Sequence, residues 1–248
     1  MRILGKLAWV ELKLLVREPV TVVFTLLMPV VILFVLGEVF GSTPDPEGVV
    51  WRGLRPIDFY TPAYVGLVMV SIGVLALPVH LASYREHGVL RRFRASSVPS
   101  WALVGAQVAV SLAIATASAG VLVAAASWRY GITFPHSFAG VVGAFLLCGI
   151  AFASLGVLLG AVLPTARAAQ GIGMILFFVM MLLGGAGPPR EVMTDAIDAV
   201  AGLLPLTYAT TVLQGPWLDL GLDLPALAVV ASMLFIAAVG SVSILRRQ

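Results

Sequence analysis

The sequence has very little charge. Only 11% of its 248 residues are Asp, Glu, Lys or Arg, whereas 60% are hydrophobic and the mean hydropathy is +1.05. A soluble domain usually carries about 25% charged residues. Because too few polar side chains are present to cover a globule of this size in water, the composition predicts an integral membrane protein, with one membrane domain over residues 1–248.

The chain also lacks the residue patterns that most catalytic chemistry requires. Its single cysteine, Cys148, lies in an apolar run and cannot form an intrachain disulfide. Its two lysines, Lys6 and Lys13, follow no glycine-rich turn, so the sequence has no phosphate-binding loop. No zinc motif or serine elbow occurs. The chain by itself is therefore not expected to be an enzyme or to bind a metal or cofactor. The histidines are expected to be ordinary loop or interface residues: His80, His87 and His136.

Ionisable residues are missing from the middle of every apolar run. Ion-coupled carriers usually place such residues inside the membrane, where they bind the coupling ion. The long apolar runs here offer hydroxyl groups, Gln107 and Gln170 instead. A carrier driven by protons or sodium is therefore poorly supported, and any transport would need another energy source.

Six apolar runs are long enough to cross a bilayer, which takes about 20 residues in a helix. Lipid offers no partners to backbone groups, so these runs are predicted to be helices, and the fold class is all-α. The predicted spans are 20–39, 61–82, 101–126, 138–163, 168–187 and 224–245.

The basic residues indicate the orientation. If both termini lie on one side, that side holds eleven of the fifteen lysines and arginines, and the other side holds most of the acids. The positive-inside rule then places both termini in the cytoplasm of a cell-membrane protein. The net charge of +3 is spread over short loops, so nucleic acid is not an expected partner.

The first 18 residues are amphipathic. At 100° per residue their basic side chains fall within an arc of about 60°, and leucines cover another face. This pattern favours a helix lying in the cytoplasmic membrane interface, in contact with lipid, over a plain charged lead-in. The basic face consists of Arg2, Lys6, Lys13 and Arg17.

The stretch 188–223 before the last span is too polar to cross the membrane. Apolar residues recur at helical spacing over 190–204, Pro205 follows, and an apolar pattern resumes over 207–213. We interpret it as two short helices that dip into the outer leaflet, which requires protein to shield their ends. An amphipathic hairpin on the surface is the alternative.

The loop 84–100 combines charge with an apolar ridge. Val89, Leu90 and Phe93 have the spacing of one helix face, between Gly88 and Pro99. Topology alone would explain the charge but not the ridge, since an exposed apolar ridge needs a cover. The flanking basic residues are Arg91, Arg92 and Arg94.

Taken together, the chain resembles the membrane subunit of ATP-binding-cassette exporters of the type-2 permease family. The most specific part is EHGVLRRFR at 86–94, followed by SSVP at 96–99. A second part is LPLTY at 204–208, similar to an external element of the family. Val89 and Ser96-Ser97 depart from the residues common in the family, which weakens assignment to a subfamily only.

The resemblance implies a half-transporter. Two copies, or one copy and a paralogue, would pair with two nucleotide-binding subunits, which would use ATP and Mg²⁺. The loop would form a coupling helix in a cleft of the ATPase, and the interfacial helix would help to hold that subunit. Pro205, Thr207 and Tyr208 would belong to an external gate. The coupling contact would comprise Glu86, Gly88, Val89, Leu90, Arg91, Arg92, Phe93 and Arg94.

Within this reading the cargo stays open among drug-like or antibiotic amphiphiles, lipids and polysaccharides. The spans contain few aromatic residues and show no wide polar channel, which favours an amphiphilic cargo over a sugar polymer. A non-transporting sensor or assembly component is the alternative from another class.

Overall fold

The computed structural model describes residues 23–41, 43–44, 50–88 and 100–247. Throughout these ranges the regular structure is helical, with no strand. The predicted interfacial helix, with Arg2, Lys6, Lys13 and Arg17, lies outside the described residues. So do residues 89–99, which include most of the predicted coupling contact: Val89, Leu90, Arg91, Arg92, Phe93 and Arg94.

The helices in the described ranges, in chain order, are α1 Val23–Phe40, α2 Pro56–Glu86, α3 Ser100–Tyr130, α4 Phe138–Val162, α5 Ala166–Leu183, α6 Asp195–Ala201, α7 Pro205–Leu218 and α8 Leu224–Arg247. Helix α1 begins with a π-helical turn at Val23–Leu27, and α2 contains a second π-helical segment at Ser71–Ala76. A short 3₁₀ turn at Arg190–Val192 precedes α6.

Six of these helices, α1 to α5 and α8, are long and apolar enough to cross a membrane. The prediction of an all-α membrane protein with six such helices is therefore confirmed. We call the end of the bundle where α1 begins and α2 ends the proximal end, and the end where α1 ends and α2 begins the distal end. The sequence predicts that the proximal end is cytoplasmic.

Local capping explains several of the helix starts. The hydroxyl of Ser137 accepts a hydrogen bond from the Gly140 amide at the start of α4, and Thr165 does the same for Ala168 at the start of α5. Pro56 and Pro205 occupy the first turn of α2 and α7, where a missing N–H costs nothing. Proline thus begins helices here rather than breaking them.

Some bounds differ from the sequence prediction. The second helix begins at Pro56 rather than Thr61, and the fifth ends at Leu183 rather than Gly187. The Gly184 amide bonds the Met180 carbonyl, and Gly185 then adopts a φ of +91°, which only glycine takes up easily, so α5 cannot continue.

The stretch before α8 was predicted to carry one helix over 190–204, and this was wrong in detail. Pro188 and Pro189 lead into the 3₁₀ turn, so α6 begins only at Asp195 and ends at Ala201. After a short turn α7 begins at Pro205. The axes of α6 and α7 meet at 81°, which gives the pair of short helices that the sequence predicts before the last span.

Helix α2 is the centre of the bundle. In the most apolar 18-residue stretch of α2, 94% is buried inside the protein, whereas the corresponding stretches of α1, α5 and α8 are about one-fifth buried. Tyr60, Tyr64, Leu67 and Leu77 are among the largest fully buried side chains. A lipid-facing helix needs burial on one side only, so α2 is enclosed by its own subunit.

The π-helical segment of α2 lies close to the backbones of α4 and α5. A side chain added at Gly173 of α5 would place its Cβ 2.2 Å from the Val74 carbonyl oxygen. At Gly156 of α4, a Cβ would lie 2.6 Å from the Gly73 carbonyl oxygen, and at Gly160 it would meet Leu81 at 2.8 Å. Gly156 and Gly160 therefore allow α4 to pack closely against α2 within the subunit.

Candidate functional site

The proximal end of α2 is fastened to the end of α4 by one side chain. Nη1 of Arg85 donates to the carbonyl oxygens of Gly160, Ala161 and Leu163, at 3.1, 2.6 and 3.1 Å. The last carbonyls of a helix have no partner within that helix, and a cation is favourable there. Arg85 therefore ties the helix that leads into the predicted coupling loop to the turn between α4 and α5. We refer to this arrangement as the Arg85 clamp.

The first residues of the predicted coupling contact follow directly. Glu86 is the exposed last residue of α2, and Nδ1 of His87 lies 2.9 Å from the Ser83 carbonyl oxygen. Gly88 has a φ of +66°, a left-handed conformation that glycine takes up easily. The chain thus turns sharply out of α2 before Val89.

The short element LPLTY braces the bend between α6 and α7. Oγ1 of Thr207 donates to the Ala201 carbonyl at 2.5 Å, and the hydroxyl of Tyr208 donates to the Gly202 carbonyl at 2.6 Å. These carbonyls stand at the end of α6, where the helix itself supplies no donor. Two of the predicted gate residues therefore hold the angle of the bent pair, and Pro205 begins α7.

Helix α7 also donates hydrogen bonds to the end of α5 and to α2. Oγ1 of Thr210 donates to the Gly184 carbonyl at 3.3 Å, and Nε2 of Gln214 donates to the Phe59 carbonyl at 3.1 Å. The space a side chain would need at Gly66 is filled by Leu206, Leu213 and Thr210. Ten residues of helix, about 15 Å, separate Gly66 from the start of α2.

These contacts bear on how the bent pair sits. Leu206, in the first turn of α7, lies beside Gly66, a third of the way along α2, and α7 runs from there toward the distal end. Protein surrounds most of α7, as the dipping interpretation requires.

The distal end carries a buried ion pair. Asp58 is 4% exposed, and its carboxylate accepts hydrogen bonds from Nε of Arg55 at 2.6 Å and from the Thr133 amide at 2.7 Å. Arg55 also donates to the carbonyls of Tyr130 and Gly131. The start of α2 is thereby joined to the connection between α3 and α4. The sequence alone placed Arg55 and Asp58 in an external loop.

Around α6, the charges are exposed. The Arg190 guanidinium donates to the Asp198 carboxylate at 2.5 Å, and this hydrogen bond lowers the pKa of that carboxyl below its usual value. Exposed pairs of this kind add little to stability. Among the described residues, no three His, Cys, Asp or Glu side chains are grouped so that they could hold a metal ion.

An apolar cavity of about 420 Å³ lies near the distal end, between α1, α2 and the segment that follows α5. Phe40, Trp51 and Tyr64 form an aromatic wall, and the surface that lines the cavity is apolar. Oη of Tyr64 donates to the Ala186 carbonyl at 2.8 Å, which directs the hydroxyl into the wall. The other lining residues are Ile32, Leu36, Val50, Met181, Leu182, Ala186, Gly187, Pro188, Pro189 and Val192. We call it the distal cavity.

Several of these residues were not singled out from the sequence. In the sequence, Arg85 is only one of the basic residues that indicate the orientation, and nothing near it in the chain indicates that its side chain reaches residues 160–163. His80 was expected in a loop or interface, but it is 3% exposed inside α2, so that expectation was wrong. The residues of the distal cavity come from four separate segments, which no local motif connects.

Comparison with known proteins decides the family. A model of the ABC-2 type transporter family matches residues 4–216. The chain belongs to this family. ABC-2 proteins are the membrane translocation subunits of transporters and typically work with an ATPase subunit. This member is accordingly a multi-pass membrane protein.

Curated relatives of this ABC-2 permease agree. The "Probable multidrug ABC transporter permease YbhR" of Escherichia coli K12 is 25% identical over 169 residues, which is 67% of this chain and 45% of YbhR. The "Putative transport permease YvfS" of Bacillus subtilis strain 168 is 24% identical over 206 residues, 83% of this chain and 81% of YvfS. The match to YbhR thus spans less than half of that protein's length.

Proposed function

We propose that this ABC-2 permease is the translocating subunit of an exporter driven by ATP hydrolysis on a separate subunit, and that its cargo is an amphiphile. The observation that carries the proposal is the Arg85 clamp. A force applied to the loop after Glu86 would act on α2, and Arg85 would pass it to the α4–α5 turn. Helix α2 runs through the centre of the subunit, so movement at the proximal end would reach the helices around the bent pair.

In this proposal the proximal end faces the cytoplasm, where the basic residues concentrate. The coupling contact from Glu86 to Arg94 binds the ATPase, with the basic interfacial helix beside it. A second copy or a paralogue completes the transport path, and ATP with Mg²⁺ binds to the partner subunit alone. Thr207 and Tyr208 hold the bent pair as the external gate.

The distal cavity supports an amphiphilic or lipid-like cargo. Its lining suits a hydrocarbon or aromatic group, whereas a sugar polymer would need hydrogen-bonding partners along its path. YbhR is named a probable multidrug permease, which points to the same class of cargo. Drug-like and antibiotic amphiphiles fit this description.

Leu90→Asp is expected to prevent the permease from co-purifying with its ATPase subunit when the two are expressed together. Burying a leucine contributes about 1.5–3 kcal/mol, so losing that contact and burying a charge instead weakens docking at least about tenfold. Leu90→Met, which keeps the volume, is the matched control and should retain the ATPase. Normal recovery of the ATPase with Leu90→Asp, at wild-type expression, would contradict the proposed coupling contact.

Leu36→Trp is expected to lower export of an amphiphilic dye from the cell, because the indole ring occupies part of the distal cavity. We expect a reduction of roughly tenfold, the loss of about 1.4 kcal/mol of cargo binding. Export is followed by dye accumulation in inverted vesicles supplied with ATP. Val35→Trp makes the same change on a side chain that is 53% exposed on the outside of α1, and it should leave export unchanged. Equal export by the two variants would remove the cavity from the transport path.

A further inference from the structure

Two buried polar side chains in the proximal part of α3 have no hydrogen-bond partner among the described residues. Gln107 is 1% exposed and Ser111 is 2% exposed. Within the part of the chain that the structure describes, neither the amide oxygen and nitrogen of Gln107 nor the hydroxyl of Ser111 finds a partner. Gln214, by contrast, is only half-buried and donates its amide to the Phe59 carbonyl. A buried amide without a partner is unfavourable, so its retention calls for an explanation.

The hydroxyl of Ser111, like that of Thr25 in α1, finds no hydrogen-bond partner among the described residues, whereas several others in these helices do. Thr61, Thr116 and Ser241 each donate to the carbonyl four residues earlier in their own helix. This internal bond is the usual way for a hydroxyl to be satisfied inside a membrane helix. Ser111 does not make it, although it has the same opportunity. Its hydroxyl is therefore available to another group, as is the amide of Gln107.

The positions of the two residues place them on one face. They are four residues apart, which puts their Cβ atoms about 5–6 Å apart on the helix surface. Val110 packs against Ala76 of α2, while Val108 packs against a cluster that α2 and α4 form together. On a helical wheel Gln107 and Ser111 lie between Val108 and Val110, so they lie on the buried face of α3.

The interior parts of α2 and α3 on either side of this pair carry almost no charge. Between Asp58 and Arg85, α2 carries no acidic or basic residue other than His80. In α3 the nearest charged residue is Arg129, 18 residues after Ser111 and therefore about 27 Å along the helix. A charged ligand group would lack a counter-ion here and would be costly to bury. A neutral group with both a donor and an acceptor would match an amide and a hydroxyl.

We propose that Gln107 and Ser111 bind the uncharged polar group, an amide or hydroxyl, of the amphiphile that the permease transports. The inference rests on the proposed function for the identity of the ligand as cargo, and it adds the chemistry of the cargo's polar end. The site lies in the proximal half of α3, on the opposite side of the membrane from the distal cavity. The cargo would lose its hydrogen bonds to water as it enters and regain them at Gln107 and Ser111.

The test uses purified permease in lipid nanodiscs and N-dodecylacetamide, a neutral amide with one alkyl chain. Dodecyltrimethylammonium has the same chain with a charged end, and dodecane has no polar end. N-dodecylacetamide should raise the Tm saturably by binding the folded state, more strongly than either comparator. Gln107→Leu should weaken its Kd about tenfold, the loss of one buried hydrogen bond, and Ser111→Ala should act in the same direction.

The melting temperature without ligand separates binding from a structural role. Gln107→Leu replaces an unpaired amide with an apolar group of similar size, so its ligand-free Tm should equal or exceed that of the wild type. Gln214→Leu, which removes a hydrogen bond that is made, should lower the Tm without changing the Kd for N-dodecylacetamide. A lower Tm for Gln107→Leu, or a Kd equal to that of the wild type, would overturn the inference.

The outcomes for this site and for the proposed function are distinguishable. If ATP-dependent dye export persists while Gln107→Leu binds N-dodecylacetamide normally, the polar site is wrong and the exporter stands. If binding depends on Gln107 but the permease co-expressed with its ATPase subunit shows no ATP-dependent export, the polar site stands as a binding site and the proposed function fails.

Discussion

Gly173→Ala is expected to destabilise the folded protein, although it adds a single methyl group. The new Cβ would lie 2.2 Å from the Val74 carbonyl oxygen, which belongs to the π-helical segment of α2. The new Cβ is attached directly to the backbone and the Val74 carbonyl oxygen is part of it, so neither atom can rotate away. Helix α5 would therefore have to move away from α2. Overpacking of a core costs about 1–3 kcal/mol and more against fixed backbone, which corresponds to a Tm lowered by roughly 5–10 °C in a chain of this size.

Gly171→Ala is the matched control. It lies two residues earlier in the same helix, and no atom lies within 4 Å of the position its Cβ would take. Its Tm should stay the same or rise, because alanine favours a helix over glycine by up to about 1 kcal/mol. Thermal unfolding of both variants in nanodiscs, with fluorescence-detected size exclusion to measure the folded fraction, makes the comparison. If the two variants melt together, the close contact between α5 and α2 does not exist.

Arg85→Gln is expected to uncouple ATP hydrolysis from export. The variant loses the charge-assisted bonds to the carbonyls of Gly160, Ala161 and Leu163, and glutamine is too short to replace them. Such bonds contribute about 1.5–3 kcal/mol in total, so export per ATP hydrolysed should fall at least about tenfold. The coupling contact itself is unchanged, and the ATPase should therefore still co-purify and hydrolyse ATP.

Arg167→Gln separates this effect from a change in topology. It removes one positive charge from the same end of the bundle, but its side chain is exposed near the start of α5. If arginines at this end act only by setting orientation, the two variants should behave alike. The permease without its ATPase gives the background for the ATP hydrolysis assay. Equal export per ATP by Arg85→Gln and Arg167→Gln would show that the Arg85 clamp does not transmit force.

Much of the architecture is predictable from the sequence because the bilayer limits the choices. A run of about 20 apolar residues must satisfy its own backbone hydrogen bonds, so it is a helix that crosses the membrane. Apolar residues at helical spacing before and after Pro205 predict a short helix on each side of it. The left-handed turn at Gly88 follows from glycine's freedom at positive φ, and the residues from 86 to 94 and from 204 to 208 indicate the family.

Helix lengths and ends were predicted less well. Apolar composition marks the part of a helix that lies in lipid, whereas helix ends depend on capping and on contacts with other segments. Arg55 and Asp58 look like loop residues in the sequence, yet their ion pair and the Thr133 amide make them part of the start of α2. Gly184 and Gly185 look like part of an apolar span, but they end α5.

The sequence by itself determined that this protein lies in the membrane, with six runs long and apolar enough to cross it, and that it resembles the type-2 permease family. Only the tertiary structure decided which helix is central, because all six runs are similarly apolar and burial in protein cannot be told from burial in lipid by composition. It also decided which groups Arg85 and Gly173 contact. Each of these two residues lies against groups far away in the chain, and such contacts arise only when the helices pack.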